Sequence, residues 1–226
     1  MVEWVSYGYR ANYIGSVDAH VDAIRKGIEN ADILITTGGT SMGPTDLLKP
    51  VIERQFKGTI HFGRVAIKPG KPTTFATIPA TRAKKPLFAL PGNPASALVT
   101  FHIFVIPALR KLAGWSSDLC QLPRVTAEVG SQLNTPLIVI DMKAQLQSDM
   151  PLDSRTEFHR VVIRAERDGL KTYSTGSQRS SRIASLSSAN GFVILPPKIG
   201  SGPSKLETGT KVEVVVIGEI QPSHPS

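Results

Sequence analysis

The stretch from Ala31 to Asp46, Ala-Asp-Ile-Leu-Ile-Thr-Thr-Gly-Gly-Thr-Ser-Met-Gly-Pro-Thr-Asp, constrains the fold of this chain most. It begins as a short apolar run, Ile33 to Ile35, breaks into a Gly/Ser/Thr turn from Thr36 to Gly43, and leads into a helical pattern ending at Phe56. Strand, glycine turn, helix is a layout that aims backbone N–H groups at an anion. Gly38, Gly39 and Gly43 permit positive φ and leave no Cβ to keep a ligand away. Asp46 stands where an N-cap belongs. Any βα turn of an α/β domain can be glycine-rich, so this stretch needs support from elsewhere in the chain.

The flanking pattern supplies part of that support. Val21, Ile24 and Ile28 recur at helical spacing, which predicts a helix over Asp18–Asn30. Ala31–Ile35 reads as a strand apolar on both faces. Leu47–Phe56 reads as the next helix, with Pro50 near its start, where the missing N–H costs little. Ile60–Ile67, Thr73–Ile78 and Leu87–Leu90 read as strands. Ala95–Leu112 is the longest helix, with Asn93 suited to its N-cap and Pro94 to its first position. Strands alternating with helices predict an α/β domain over residues 1–115, a mostly parallel sheet with helices on both faces.

The character changes after Gly114. Trp115–Pro123 reads as a linker, and residues 122–221 as a small all-β barrel domain. Val125–Val129, Glu157–Glu166, Leu170–Ser174, Gly191–Leu195 and Lys211–Ile220 are its strand candidates, and Arg167-Asp168-Gly169 is a hairpin signal.

Composition narrows the function classes. The 226 residues are 41% apolar, enough for a real core, and carry a net charge of +8. Such a balance favours an acidic partner: nucleic acid, a phosphorylated small molecule or an oxyanion. The charges are dispersed and aromatics are only 6%, which argues against a nucleic-acid groove. The single cysteine, Cys120, excludes an internal disulfide and a zinc knuckle. The longest apolar stretch, Ala97–Leu109, is interrupted by His102 and Pro107, so no membrane span is expected. The default localisation is cytoplasmic.

Three turns then stand out: Thr36–Asp46, Lys68-Pro-Gly-Lys-Pro72 and Pro91-Gly-Asn-Pro-Ala-Ser96. Each follows a predicted strand, and in an open α/β sheet ligands bind beyond the strands' carboxyl ends. Lys68, Lys71 and nearby Arg64 supply positive charge, Ser96 a hydroxyl, and Asp46 a carboxylate that can serve a divalent metal. In the second half, Arg155-Thr-Glu-Phe-His-Arg160, Gln178–Arg182 and Ser188–Gly191 add arginines and hydroxyls suited to an oxyanion. Alone, each of these has an ordinary surface reading. The histidines show no metal-ligand spacing.

Together these motifs resemble the molybdopterin molybdotransferases, the group that includes the E domain of gephyrin. The resemblance runs from about Asp18 to Ile220 and is carried by Thr36–Gly43 with Asp46, Ile60–Pro72, Phe88–Ala97, Glu157–Arg160, Gln178–Arg182 and Ser188–Gly191. It implies an α/β domain that binds adenylylated molybdopterin, followed by a C-terminal β-barrel. The implied reaction inserts molybdate into the pterin dithiolene and releases AMP, with Mg2+ as the usual cation. By motif position, Asp46 would serve the metal and the phosphoanhydride, and Arg64 and Lys68 would face the phosphates. Lys68, Lys71, Ser96, Arg155 and Ser180 would bind molybdate between the two domains. Gly38, Gly39, Thr40, Ser41, Gly43, Pro91, Gly92 and Asn93 would hold the nucleotide-linked pterin.

The resemblance is to the C-terminal part only. Family members usually carry two further N-terminal domains that help form a homodimer, and an early turn that holds the pterin; Met1–Val17 does not match it. Gly130–Lys143 reads as an addition to the family pattern, either a long loop or a gene-model artefact. A truncated, non-catalytic scaffold that binds peptides is the alternative function.

Overall fold

The structure, a computed structural model, describes residues 17–40, 47–81, 83–125, 144–181 and 186–222. The expectations for Met1–Ile14, Ser41, Gly43, Asp46, Arg182 and Gly130–Lys143 fall outside the described residues. The chain divides into two compact units, Met1–Val65 with Gly70–Asn93, and Ala66–Pro69 with Pro94–Ser226.

In the first unit, α1 (Val17–Asn30) leads to β1 (Leu34–Thr37), then α2 (Leu48–Phe56), β2 (Thr59–Phe62), β4 (Thr74–Ile78) and β5 (Lys85–Leu90). The sheet order is β1-β5-β4-β2. It is mixed rather than mostly parallel: β1 runs parallel to β5, while β4 is antiparallel to both β5 and β2. The links between β2, β4 and β5 are too short for a helical crossover, so neighbouring strands must reverse. Ile24 of α1 and Leu48, Val51 and Ile52 of α2 share one core with Ala76, Ile78, Leu87 and Ala89. Side chains alternate along a strand, so among the described residues both helices cover a single face. The opposite face carries a ring ladder, with Phe75 stacked on Phe88 at 4.7 Å between centroids and on His61 at 5.1 Å.

Two boundaries moved. β1 starts three residues later than expected, and Leu34 is buried whereas Ile35 is 37% exposed. α2 begins at Leu48, and Leu47 before it makes no side-chain capping bond.

The second unit is built around β9 (Thr156–Glu166). β9 pairs antiparallel with β11 (Gly191–Leu195) along its first half and with β10 (Gly169–Ser174) along its second. β3 (Ile67–Lys68) joins the start of β9 in parallel, and β15 (Gln221–Pro222) joins its end. The sheet continues from β10 to β7 (Ala144–Leu146) and β13 (Lys211–Val212), and from β11 to β14 (Val214–Val216) and β6 (Arg124–Val125). This nearly closed sheet surrounds Leu146, Val161, Ile163, Val193, Leu195 and Val214. The expected strand Ile60–Ile67 is thus two: β2 ends at Phe62, and Ile67 pairs with β9 instead.

Pro94–Leu112 is one continuous helical run: α3 (Pro94–Thr100), a π-turn over Phe101–Val105, and α4 (Ile106–Leu112). Neither His102 nor Pro107 interrupts it. Ile106 N–H reaches back to Phe101 O, and this wider turn makes room for the Pro107 ring beside the carbonyls of the preceding turn. His102 bonds the Leu98 carbonyl at 2.8 Å. At 19 residues and mean hydropathy 1.4 the run is long and apolar enough to cross a membrane by length and composition alone, a test that the core helix of a globular domain also passes. Its Val99 packs with Phe158, Phe192 and Val215 of the same unit. The expected linker after Gly114 contains the short α5 (Ser117–Cys120).

Candidate oxyanion site

β9 and the loop before it carry the site's charged groups, and β3 delivers a lysine to them. In the β3–β9 ladder Lys68 is the direct partner of Glu157. Lys68 Nζ lies 2.9 Å from Glu157 Oε2 and 3.3 Å from Asp153 Oδ2. Asp153, in the loop before β9, holds Arg155 as well: its Oδ1 accepts from Arg155 Nε at 2.9 Å and from the Arg155 backbone N–H at 3.1 Å, and its Oδ2 from Arg155 Nη2 at 3.3 Å. Two cations expected to bind an oxyanion therefore share one carboxylate.

Glu157 is fixed from behind. Its side chain is 5% exposed, and Oε1 lies 3.3 Å from His159 Nδ1. His159 Nε2 lies 2.8 Å from Ser174 Oγ, which accepts the Gly176 N–H at 3.1 Å. One consistent polarity runs from Gly176 N–H through the Ser174 hydroxyl to Nε2, with Nδ1–H donating to Glu157. Burial pushes the Glu157 carboxyl up, but the His159 hydrogen bond and the Lys68 ammonium together hold it below its ordinary value. Burial likewise works against the Lys68 ammonium, yet the bonds from Glu157 and Asp153 leave its pKa raised. The Arg155 hydrogen bond, opposed by burial and helped by Lys68, holds Asp153 well below the usual carboxylate range.

A second latch on β9 places Ser180. Arg160, fully buried, bonds the Arg179 carbonyl through Nη2 at 3.3 Å, and its backbone N–H donates to Gln178 Oε1 at 2.8 Å. Burial lowers the Arg160 pKa, with Glu157 opposing. The Ser180 carbonyl accepts the Ala95 N–H at 3.2 Å, so this segment is tied to the start of α3 beside Ser96, which is 4% exposed.

In the first unit, the turns after the parallel strands β1 and β5 meet. Gly38 N–H donates to the Leu90 carbonyl at 3.0 Å, and Thr40 Oγ1 reaches the same oxygen at 3.4 Å. Gly38 and Gly39 have φ of +83° and +65°. A Cβ on Gly92 would come within 3.3 Å of Gly38 Cα, so the two turns pack backbone against backbone. Pro91 is buried while Gly92 and Asn93 are exposed. Among the described residues, Thr36 Oγ1 is buried without a hydrogen-bond partner. Arg64 and Lys71 are exposed, and the Lys71 carbonyl accepts the Val65 N–H at 3.0 Å.

Sequence reasoning missed Asp153 as the shared carboxylate and left Glu157 and His159 without roles. An acid two residues before Arg155 was a visible signal. The Lys68–Glu157 pair was not, because only strand register brings residues so far apart in sequence to one place.

Known proteins resemble this chain over most of its length. Residues 2–111 match the family described as "Probable molybdopterin binding domain", and residues 143–217 match "MoeA C-terminal region (domain IV)". The chain belongs to the gephyrin and molybdopterin molybdenumtransferase family. It is 42% identical over 206 residues to gephyrin of Dictyostelium discoideum, covering 85% of this chain and 26% of that protein. It is 42% identical over 176 residues to the molybdenum cofactor synthesis protein cinnamon of Drosophila melanogaster, covering 77% and 26%. Against the molybdopterin molybdenumtransferase of Bacillus subtilis it is 31% identical over 212 residues, covering 92% and 43%. The chain thus spans between a quarter and a half of the length of these relatives. The crystal structure of a molybdopterin biosynthesis moeA protein from Pyrococcus horikoshii matches the fold over 86% of this chain and 38% of that one, with TM-score 0.54 and 20% identity.

Proposed function

We propose that this gephyrin-family chain serves molybdenum cofactor synthesis as a molybdotransferase, moving molybdenum from molybdate to adenylylated molybdopterin with release of AMP. The observation that carries the reading is the pair Lys68 and Arg155 converging on a single carboxylate, an anion already held the way an oxyanion would be. Ser96 and Ser180 would add hydroxyl donors, and Lys71 a further charge. Gly38, Gly39, Thr40, Ser41 and Gly43, with Pro91, Gly92 and Asn93, would receive the phosphates and pterin, and Arg64 would face the phosphates. The residues' work is positional and electrostatic: cations neutralise charge on the oxyanion and the departing AMP, and backbone N–H groups orient the phosphates.

Magnesium belongs to the same reading and rests on Asp46. Among the described residues no three His, Cys, Asp or Glu side chains gather to hold a metal. A Mg2+ ion held by one carboxylate and substrate phosphates needs no such group. When bound, it would neutralise phosphate charge. A homodimer and a cytoplasmic location complete the proposal.

The test is AMP release by the purified chain supplied with adenylylated molybdopterin, molybdate and Mg2+. Lys68→Ala and Arg155→Ala should each lower the rate about 100-fold, the order expected for removing a transition-state charge contact. A wild-type rate no higher than that of Lys68→Ala would sink the enzymatic reading for this chain and favour the scaffold.

A further inference from the structure

We propose that Asp153 is a displaceable internal counter-ion that occupies the oxyanion's place on Lys68 and Arg155 and thereby sets the charge an incoming anion must carry. This rests on the reading of Lys68 and Arg155 as oxyanion ligands and assigns a specificity role to a residue outside that ligand set.

The charge count of the cluster poses the problem. Lys68 and Arg155 bring two positive charges, and Asp153 and Glu157 bring two negative ones; Lys68 meets both carboxylates, and Arg155 meets Asp153. Arg160 also acts on Glu157 from within the barrel, but the charges of Lys68 and Arg155 are already matched by carboxylates in contact with them, so a further anion gains little there while both carboxylates stay. One carboxylate must give way, and the structure distinguishes the two. Glu157 lies in the β-ladder, 3% exposed, bonded to Lys68 and His159. Moving it would break a buried chain that extends to Ser174. Asp153 stands in the loop before β9, with its side chain 20% exposed. Its backbone is held independently, since its carbonyl accepts the Lys198 N–H at 2.7 Å. A side-chain rotation carries its carboxylate to solvent without disturbing the strand.

The contacts Asp153 makes are also those of a ligand. Both its oxygens face the Arg155 fork, and one of them also meets Lys68. A tetrahedral oxyanion presents oxygens at similar spacing and can take over the same donors. A dianion such as molybdate gains two charges' worth of attraction where Asp153 supplied one. A monoanion merely exchanges like for like and gains nothing. The resident carboxylate therefore excludes abundant monoanions while admitting dianions, a form of selection by built-in competition.

The experiment is calorimetric titration of the whole chain with sodium molybdate and, separately, with sodium perchlorate, a tetrahedral monoanion. Wild type should bind molybdate and show no perchlorate binding. Asp153→Asn should tighten molybdate by about tenfold or more and make perchlorate binding measurable, as expected when a competing charge is removed. Asp153→Glu, which keeps the charge, should stay near wild type. If Asp153→Asn keeps the wild-type unfolding midpoint but binds molybdate equally or more weakly, Asp153 merely orients Arg155 and the proposal is overturned, while the oxyanion reading survives. If neither wild type nor Asp153→Asn binds molybdate, the oxyanion reading itself fails and this proposal with it. Should Asp153→Asn not fold, a molybdate-soaked wild-type crystal decides. The oxyanion on Lys68 and Arg155 with Asp153 turned away supports the exchange. Oxyanion and Asp153 together on both cations refutes it.

Discussion

Lys68 and Glu157 stand opposite one another in the β3–β9 ladder, ammonium nitrogen 2.9 Å from carboxylate oxygen. A two-residue strand thereby becomes an anchored one, and a flexible lysine is held at the beginning of the strand that also presents His159 and Arg160, just after Arg155. Lys68→Ala leaves the buried Glu157 carboxylate without its ammonium partner. The expected cost is about 1–2 kcal/mol of stability, less than for a fully buried pair because the Lys68 side chain is 35% exposed. Urea unfolding of the two proteins measures it; no change in midpoint would show the pair to be energetically idle.

Asn190 closes the barrel from within. It is 6% exposed; its Oδ1 accepts the Ile163 N–H at 2.6 Å, and its Nδ2 donates to the carbonyls of Ile163 and Glu219. Asn190→Ala strands a buried backbone N–H and two carbonyls. A loss of about 2–3 kcal/mol is expected, read as a lower unfolding midpoint with unchanged m-value.

Acid should weaken the barrel unit specifically. The Arg155 bond holds Asp153 below the usual carboxylate range, and the Lys205 bond holds exposed Asp149 at about 2. The unfolded chain takes up these protons near pH 4 and the folded chain only at lower pH. Protons thus bind the unfolded state first, and stability present above about pH 5 drains away as pH falls. Denaturation midpoints taken in steps from pH 7 to pH 2 should drop, and Asp153→Asn should show a shallower fall. Parallel curves would contradict the assignment.

Gly38 has a φ of +83° where its turn meets that of Gly92. Gly38→Ala should cost about 1–2 kcal/mol from the strained backbone. Gly92→Ala has to push against Gly38 Cα at 3.3 Å and should lower thermal stability as well. Equal melting temperatures for wild type and both variants would show that the turns have room to relax.

Much of this was legible locally. Gly38 and Gly39 declare a left-handed turn, because only a residue without Cβ takes it cheaply. Pro94 marks the first residue of α3, and Arg167-Asp168-Gly169 marks the tight reversal that pairs Gly169 with Glu166. Periodicity located α1 and the strands of the barrel. What failed was non-local. Pro107 looks like a break until the π-turn beside it accommodates the ring. Ile60–Ile67 looks like one strand until Ile67 finds its partner in β9.

The sequence by itself determined the turn chemistry, the helix starts, the alternation of the barrel strands and the set of cations and hydroxyls available for an anion, since all of these follow from the preferences of a residue and its near neighbours. Tertiary structure alone decided strand direction in the first sheet, the partnering of Lys68 with Glu157, and the presence of Asp153 on two cations at once. Those are matters of register between segments distant in the chain, where the free energy comes from burial and paired charge that no short window of residues contains.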